Sequence, residues 1–321
     1  MQDILKESSV LKTIYGYETI PVESWLDYAY ALLIVAGADG VVSESEMGWL
    51  ERDFARIVEA PDGFRKKIKE FDWANANLDE LLDRIKVKFP MNYIRALVYD
   101  SIKMAMADED FDEDERSTAR KIALTLNVPI YIARTIEGLV STEKSVGDIR
   151  KSIFEIDDEA LEKHPNRSFA DILFNQTFAL GMSADLHLQY GYALMTIAGA
   201  DGEVSAKEKT WYKDEFAPLA RVPRETIDKV VNYNYKIGNL KHIFSKIQGE
   251  LSVSFSKTLL YHAIRMARAD TIFASEEKTM VQDAAKYLNI PADIAQTIQY
   301  LVDTEERIEK MRKTLFGGKI E

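Results

Sequence analysis

The strongest constraint on this chain is that it contains itself twice. One constant offset carries Asp39 to Asp201, Trp49 to Trp211, Phe54 to Phe216, Pro61 to Pro223 and Asn77-Leu78 to Asn239-Leu240. The same offset carries Asp108 to Asp270, Asn127 to Asn289, Pro129 to Pro291 and Thr142-Glu143 to Thr304-Glu305, and it holds without a gap from 28–143 to 190–305. Solenoid repeats run to ~20–45 residues, so a unit this long is a duplicated domain and not one turn of a stack. The boundaries expected are 1–150 and 151–321, with a linker over 144–170 punctuated by Gly147, Asp157-Asp158 and His164-Pro165-Asn166.

Each copy holds a fainter symmetry. The spacing from Asp39 to Asp108 equals that from Asp201 to Asp270, and each aspartate is followed seven positions later by a glutamate: Glu46, Glu115, Glu208 and Glu277. The simplest account is a helical hairpin used twice per domain. The apolar spacing agrees with it. Leu26, Tyr30, Leu33 and Ala36-Gly37 mark a helix over 25–39, and Met47, Leu50, Phe54 and Ile57-Val58 mark the next over 46–58. A third helix is expected near 63–71. Asn77 caps a helix over 78–88 that buries Leu81-Leu82 and Ile85, and Pro90 opens one carrying Ile94, Leu97, Ile102 and Met104-Ala105. Helices over 113–126 and 130–139 flank the break Asn127-Val128-Pro129 and complete the copy. No run alternates as a strand does. The fold class expected is all-α: two tandem, pseudo-symmetric helical bundles of about seven helices each.

Composition narrows the functions. Hydrophobic residues make up 46% of the chain, enough for real cores, and the net charge of −12 argues against nucleic acid as a partner. With no cysteine, thiolate metal sites and cysteine nucleophiles are excluded. The histidines, His164, His187, His242 and His262, form no metal-ligand spacing, and His262 is expected at the surface. No phosphate loop or nucleophile elbow is present. The N-terminus lacks a signal-peptide pattern, and the longest apolar run, 29–38, is too short to span a bilayer. A cytoplasmic protein without membrane insertion is expected.

The corner Ala38-Asp39-Gly40-Val41-Val42-Ser43-Glu44-Ser45-Glu46 returns as Ala200-Asp201-Gly202-Glu203-Val204-Ser205-Ala206-Lys207-Glu208. Gly40 and Gly202 stand where a helix ends in a left-handed residue. Ser43 with Glu46 and Ser205 with Glu208 form capping boxes, and Asp112 with Glu115 fits that role more loosely. The aspartates are harder to place, because a helix C-terminus is negative and disfavours a carboxylate. Two readings stand side by side. In one, the acids only cap helices and close Asx turns. In the other, the two corners of a copy meet, and the converging carboxylates hold a divalent cation, calcium or magnesium or manganese, with hard oxygen ligands. The acidic run 108–115 favours the first copy, although it is not an EF-hand loop: positions six and twelve are Glu113 and Ala119.

Two helical units, each with an Ala-Asp-Gly-x-Val-x-x-x-Glu corner and a second Ala-Asp corner, resemble the TerB-like family. That family includes the tellurite-resistance protein B and the N-terminal region of a membrane-linked DnaJ-type co-chaperone. The resemblance implies an all-helical fold, acids that bind a divalent metal, and a role in stress response or protein interaction. Carried onto this chain, the metal residues are Asp39, Glu46, Asp108 and Glu115, with Asp201, Glu208, Asp270 and Glu277. The second corner lacks glycine in both copies, and no J-domain signature is present, so co-chaperone activity is not implied. The function expected is a non-enzymatic module that binds other proteins. The alternatives are a metal-free helical scaffold and a carboxylate-metal-dependent hydrolase. Outside the corners, residues 168–181 read as an apolar-rich helix, and 307–321 as a mixed-charge tail helix expected to fray, with Leu315-Phe316 a docking point in the alternative.

Overall fold

The computed structural model describes residues 6–7, 19–20, 24–55, 60, 63–107, 112–155, 183–247, 253–270 and 272–316. Nearly all of it is helix. In the first repeat, α1 (Trp25–Ala36) is followed by α2, which runs as Glu44–Gly48 and widens into a π-type turn over Trp49–Phe54. Then come α3 (Phe64–Lys69), a single 3-10 turn Trp73–Asn75, α4 (Leu78–Lys88), α5 (Met91–Ala105), α6 (Glu113–Thr125) and α7 (Ile130–Phe154). The second repeat answers element for element. It has α8 (Ala184–Ala198) and α9, built from Ala206–Thr210, a π-type turn Trp211–Phe216 and Ala217–Leu219. These are followed by α10 (Arg224–Val231), the 3-10 turn Tyr235–Ile237, α11 (Leu240–Ile247), α12 (Val253–Ala267), α13 (Ser275–Tyr287) and α14 (Ala292–Phe316). The all-α expectation holds. Its small exception is an antiparallel pairing of two residues each, Lys6–Glu7 against Thr19–Ile20. No described helix is long and apolar enough to cross a membrane.

Local sequence accounts for the helix ends. The Asn77 side chain accepts the amides of Asp79 and Glu80 at 3.1 and 3.3 Å, so it caps α4 as expected. Pro90 stands at the N-cap of α5. Asn127 and Asn289 take φ of +60° and +54°, the left-handed stop that asparagine tolerates best after glycine.

α1 and α8 are apolar nearly all round because each is the centre of its repeat. α1 packs on α3, α4, α5 and α6, and α8 packs on α10, α11, α12 and α13. The π-type turns bring Phe54 and Phe216 onto these central helices. Phe54 stacks on Tyr28 with ring centroids 5.4 Å apart, and Phe216 stacks on Tyr190 at 5.3 Å. Each buried tyrosine then needs a partner for its hydroxyl. Tyr28 donates to Asp100 at 2.7 Å, and the Tyr190 hydroxyl meets His262 Nδ1 at 2.8 Å.

The chain divides into two compact units, Met1–Ser145 with Glu306–Glu321, and Val146–Glu305. α7 therefore begins in the first unit and ends in the second, and α14 begins in the second and ends in the first. The stretch 144–154, expected as the start of a linker, is helix instead. Val146, Ile153 and Phe154 are buried at helical spacing, which outweighs the ~1 kcal/mol that Gly147 costs inside a helix. The tail expected to fray is likewise ordered to Phe316, with Leu315 and Phe316 buried. The apolar-rich stretch 168–181 lies outside the described residues.

Candidate functional site

The first corner of each repeat is shaped by close-packed glycines and one aspartate. Gly37 lies directly under the Trp73 indole and Gly199 under the Tyr235 ring, so a β-carbon at either position would collide with the aromatic. Tyr235 also donates its hydroxyl to the Gly202 carbonyl at 3.1 Å. Gly40 and Gly202 take φ of +102° and +106°, the left-handed exit that the sequence predicts.

Each described aspartate closes the turn. Val41 N–H donates to Asp39 Oδ1 at 2.9 Å, Glu203 N–H to Asp201 Oδ1 at 3.0 Å, and Ile272 N–H to Asp270 Oδ1 at 3.0 Å. These are Asx turns, and they answer the difficulty of a carboxylate at a helix C-terminus: the acid faces a local amide, not the exposed carbonyls. Asp108 lies outside the residues whose side-chain contacts are described.

The glutamates begin the next helices. Ser43 accepts the Glu46 amide at 3.2 Å, and Glu46 Oε2 accepts the Ser43 amide at 2.7 Å. Ser205 and Glu208 repeat this at 3.2 and 2.6 Å. Asp112 and Glu115 do the same at 2.8 and 3.0 Å. At the fourth corner Glu277 accepts the Ala274 amide at 2.7 Å, but alanine has no oxygen to return, so the box is half built.

The glutamates are also where the corners of one repeat meet. All four are buried. The Glu46 and Glu115 carboxyls lie close enough to act on each other. Glu208 and Glu277 likewise lie close enough to interact, with Asp201 and Asp270 near enough to repel them. Burial is the main reason that Glu115, Glu208 and Glu277 hold their protons. It pushes Glu115 up to about 8 against the pull of the Asp112 amide, and the Glu46 carboxyl adds to the rise. Burial pushes Glu208 up to about 8 against the Ser205 amide and hydroxyl, helped by Glu277 and Asp270. Glu277 rises to about 7, from burial first and then from Asp201 and Asp270. Two buried carboxylates this close cannot both ionise cheaply, so each pair favours keeping a proton near neutrality.

These donors fit a hard divalent cation in kind, being carboxylate oxygens only. Their placement is another matter: among the described residues no group of three or more His, Asp or Glu side chains is set to hold a metal ion. The structure thus brings Glu46 to Glu115 and Glu208 to Glu277, and leaves Asp39, Asp201 and Asp270 at the rim in their turns. In the sequence alone the aspartates stand out and the glutamates do not, because capping alone accounts for the glutamates. The signal that marks the pairing is the internal symmetry of each repeat, which relates the two glutamates of a pair.

His262 is a correction. It is 5% exposed, between Trp211, Phe216 and Tyr261, and burial holds its imidazole down at about 3, with Arg265 adding to the drop. It is a neutral core histidine in the position that Asp100 fills in the first repeat.

The repeats also differ between their last two helices. α13 and α14 frame a groove of about 690 Å³ walled by Val281, Gln282, Ala285, Gln296, Gln299 and Tyr300. Its counterpart between α6 and α7 has about 10 Å³, because Arg116 and Arg120 reach across to Glu137 at 2.7 and 3.6 Å. Glutamines at 282 and 299, in place of Arg120 and Glu137, leave the second groove open.

No curated protein and no solved structure gives a significant match to the chain. A family model described as "Tellurite resistance protein TerB" matches residues 26–133 and again residues 187–299, and the chain belongs to that TerB family, carrying its domain twice.

Proposed function

We propose that the protein is a non-enzymatic, cytoplasmic interaction module in which a divalent cation binds where the two corners of a repeat meet. The observation that supports this is the pairing of buried glutamates, Glu46 with Glu115 and Glu208 with Glu277, at a proton cost expressed near neutral pH. Like charges held this close favour either a proton or a cation between them. In the first repeat Glu46 and Glu115 would hold the cation, with Asp39 and Asp108 as further donors. In the second, Glu208 and Glu277 would hold it, with Asp201 and Asp270. The ion would supply positive charge that fixes one corner against the other. A partner protein would then read the corner surface. The family's description, tellurite resistance, supports a stress setting for that interaction.

A metal-free scaffold is the second reading. It is favoured by the finding that each described acid of the corners already has a backbone amide as partner. Thermal unfolding at pH 7.5 with calcium, magnesium or manganese separates the two. The cation reading expects a rise in Tm that Glu46→Gln with Glu115→Gln abolishes. Asp39→Asn is the finer probe, since asparagine keeps the Asx acceptor and removes only the charge. If none of the three ions moves Tm, the scaffold reading stands and the cation is discarded.

A further inference from the structure

The ends of α7 and α14 carry the same pattern, Arg150-Lys151-Ser152-Ile153-Phe154 and Arg312-Lys313-Thr314-Leu315-Phe316, at the offset that relates the two repeats. Each is seated in a unit whose other helices come from the opposite repeat. In the first unit Arg312 Nε donates to Glu143 Oε1 at 2.8 Å, and the Tyr99 hydroxyl donates to Glu143 Oε2 at 2.5 Å. Lys103 donates to the Tyr99 hydroxyl at 3.0 Å. Phe316, fully buried, meets the Tyr99 ring edge-on at 5.4 Å, and Arg95 caps the helix end by donating to the Leu315 carbonyl at 3.0 Å.

The second unit repeats this with its own residues. Arg150 donates to Glu305 at 2.6 Å, Tyr261 donates to Glu305 at 2.7 Å, and Arg265 donates to Glu305 at 3.3 Å. Phe154 meets the Tyr261 ring edge-on at 5.6 Å, and the Ser254 hydroxyl donates to the Phe154 carbonyl at 3.4 Å. Arginine fits because a guanidinium presents several donors to a carboxylate that a tyrosine hydroxyl already orients. Phenylalanine four positions later lies one helical turn on, on the same face.

We propose that these two seats are receptor grooves for an Arg-Lys-Ser/Thr-Ile/Leu-Phe helix end, and that a second copy of this chain supplies that end in trans. The seat recognises a basic and aromatic helix end, not the connection behind it. One chain carries two such ends and two such seats with the same chemistry, so an end released from its seat on one copy matches the seat of another, which is the condition for domain swapping. Glu143 makes the recognition selective. Burial would raise its carboxyl, but Lys103 and Arg312 overcome this and hold it below the ordinary range. A helix end without arginine would leave that charge poorly compensated.

The test uses the full chain and a fluorescent peptide of residues 305–316. The full chain with Arg312→Ala and Phe316→Ala, its own end unseated, should bind the peptide at least about tenfold more tightly than the wild type does. A peptide carrying the same two alanines should not bind. Equal binding to both chains, or to both peptides, overturns the proposal. A second measurement does not depend on that variant folding. Wild-type protein recooled from partial unfolding at high concentration should show a dimer by light scattering, and Glu143→Gln with Glu305→Gln should not. A wild type that stays monomeric at every concentration, or a variant that dimerises as readily, overturns it.

Discussion

At the scale of single residues, the titrating groups push stability in opposite directions. Glu115 and Glu208 have folded values near 8 against an ordinary 4.5, so between those values the folded chain binds more protons than the unfolded one. Stability must fall as pH rises through that window and level off above it. Glu115→Gln with Glu208→Gln should flatten this loss, read as a smaller drop in Tm between pH 6 and pH 9. His262 acts at the other end. Its folded value of about 3 lies below the ordinary 6.5, so the unfolded chain binds the extra proton there and stability falls as pH drops from about 6.5 toward 3. The check is direct: the His262 imidazole should stay neutral in NMR spectra from pH 8 to pH 5. Nothing in the local sequence shows this. His262 has no mark of burial other than its equivalence to Asp100, a polar residue that the core also encloses.

At the scale of helices and turns, the capping boxes make a graded series within one molecule. Three are complete and the fourth lacks only the side-chain oxygen at Ala274. Ser43→Ala or Ser205→Ala should each cost about 1 kcal/mol. Ala274→Ser should return a similar amount, a rise in Tm of ~2–4 °C for a unit of this size, measured by calorimetry. This is also the scale at which the sequence is most readable. Asn77, Pro90 and Asn127 declare their helix boundaries because caps and stops are written in a few adjacent residues. Gly40 and Gly202 declare the left-handed exit for the same reason. The role of the corner acids is less legible, since it depends on what faces them from a distant part of the chain. Asp39 is unexplained without the Val41 amide beside it, and Glu46 is only half explained without Glu115.

At the scale of the whole molecule, the reciprocal helix ends are invisible to periodicity. Gly147 suggests a break, and the last helix reads as a frayed tail, because the partners that bury Phe154 and Phe316 belong to distant parts of the sequence. Arg150→Ala and Arg312→Ala should therefore each destabilise the protein well beyond an exposed arginine change, by ~3 kcal/mol or more, because a buried glutamate is left short of its partner. Denaturant melts of the two variants give the comparison, with Arg116→Ala as the more exposed control.

The membership of Glu306–Glu321 in the first unit has a mechanical side. α1 and the end of α14 both sit in that unit, so a load applied at Trp25 and Phe316 is borne by it first. The segment Val146–Glu305 forms a loop that tension does not reach until the α14 end peels away. A single-molecule pulling trace should begin with a short extension as those last helical turns strip off. Only then should the larger contour-length step of the second unit appear. A chain whose domains hung in simple series would have no such order.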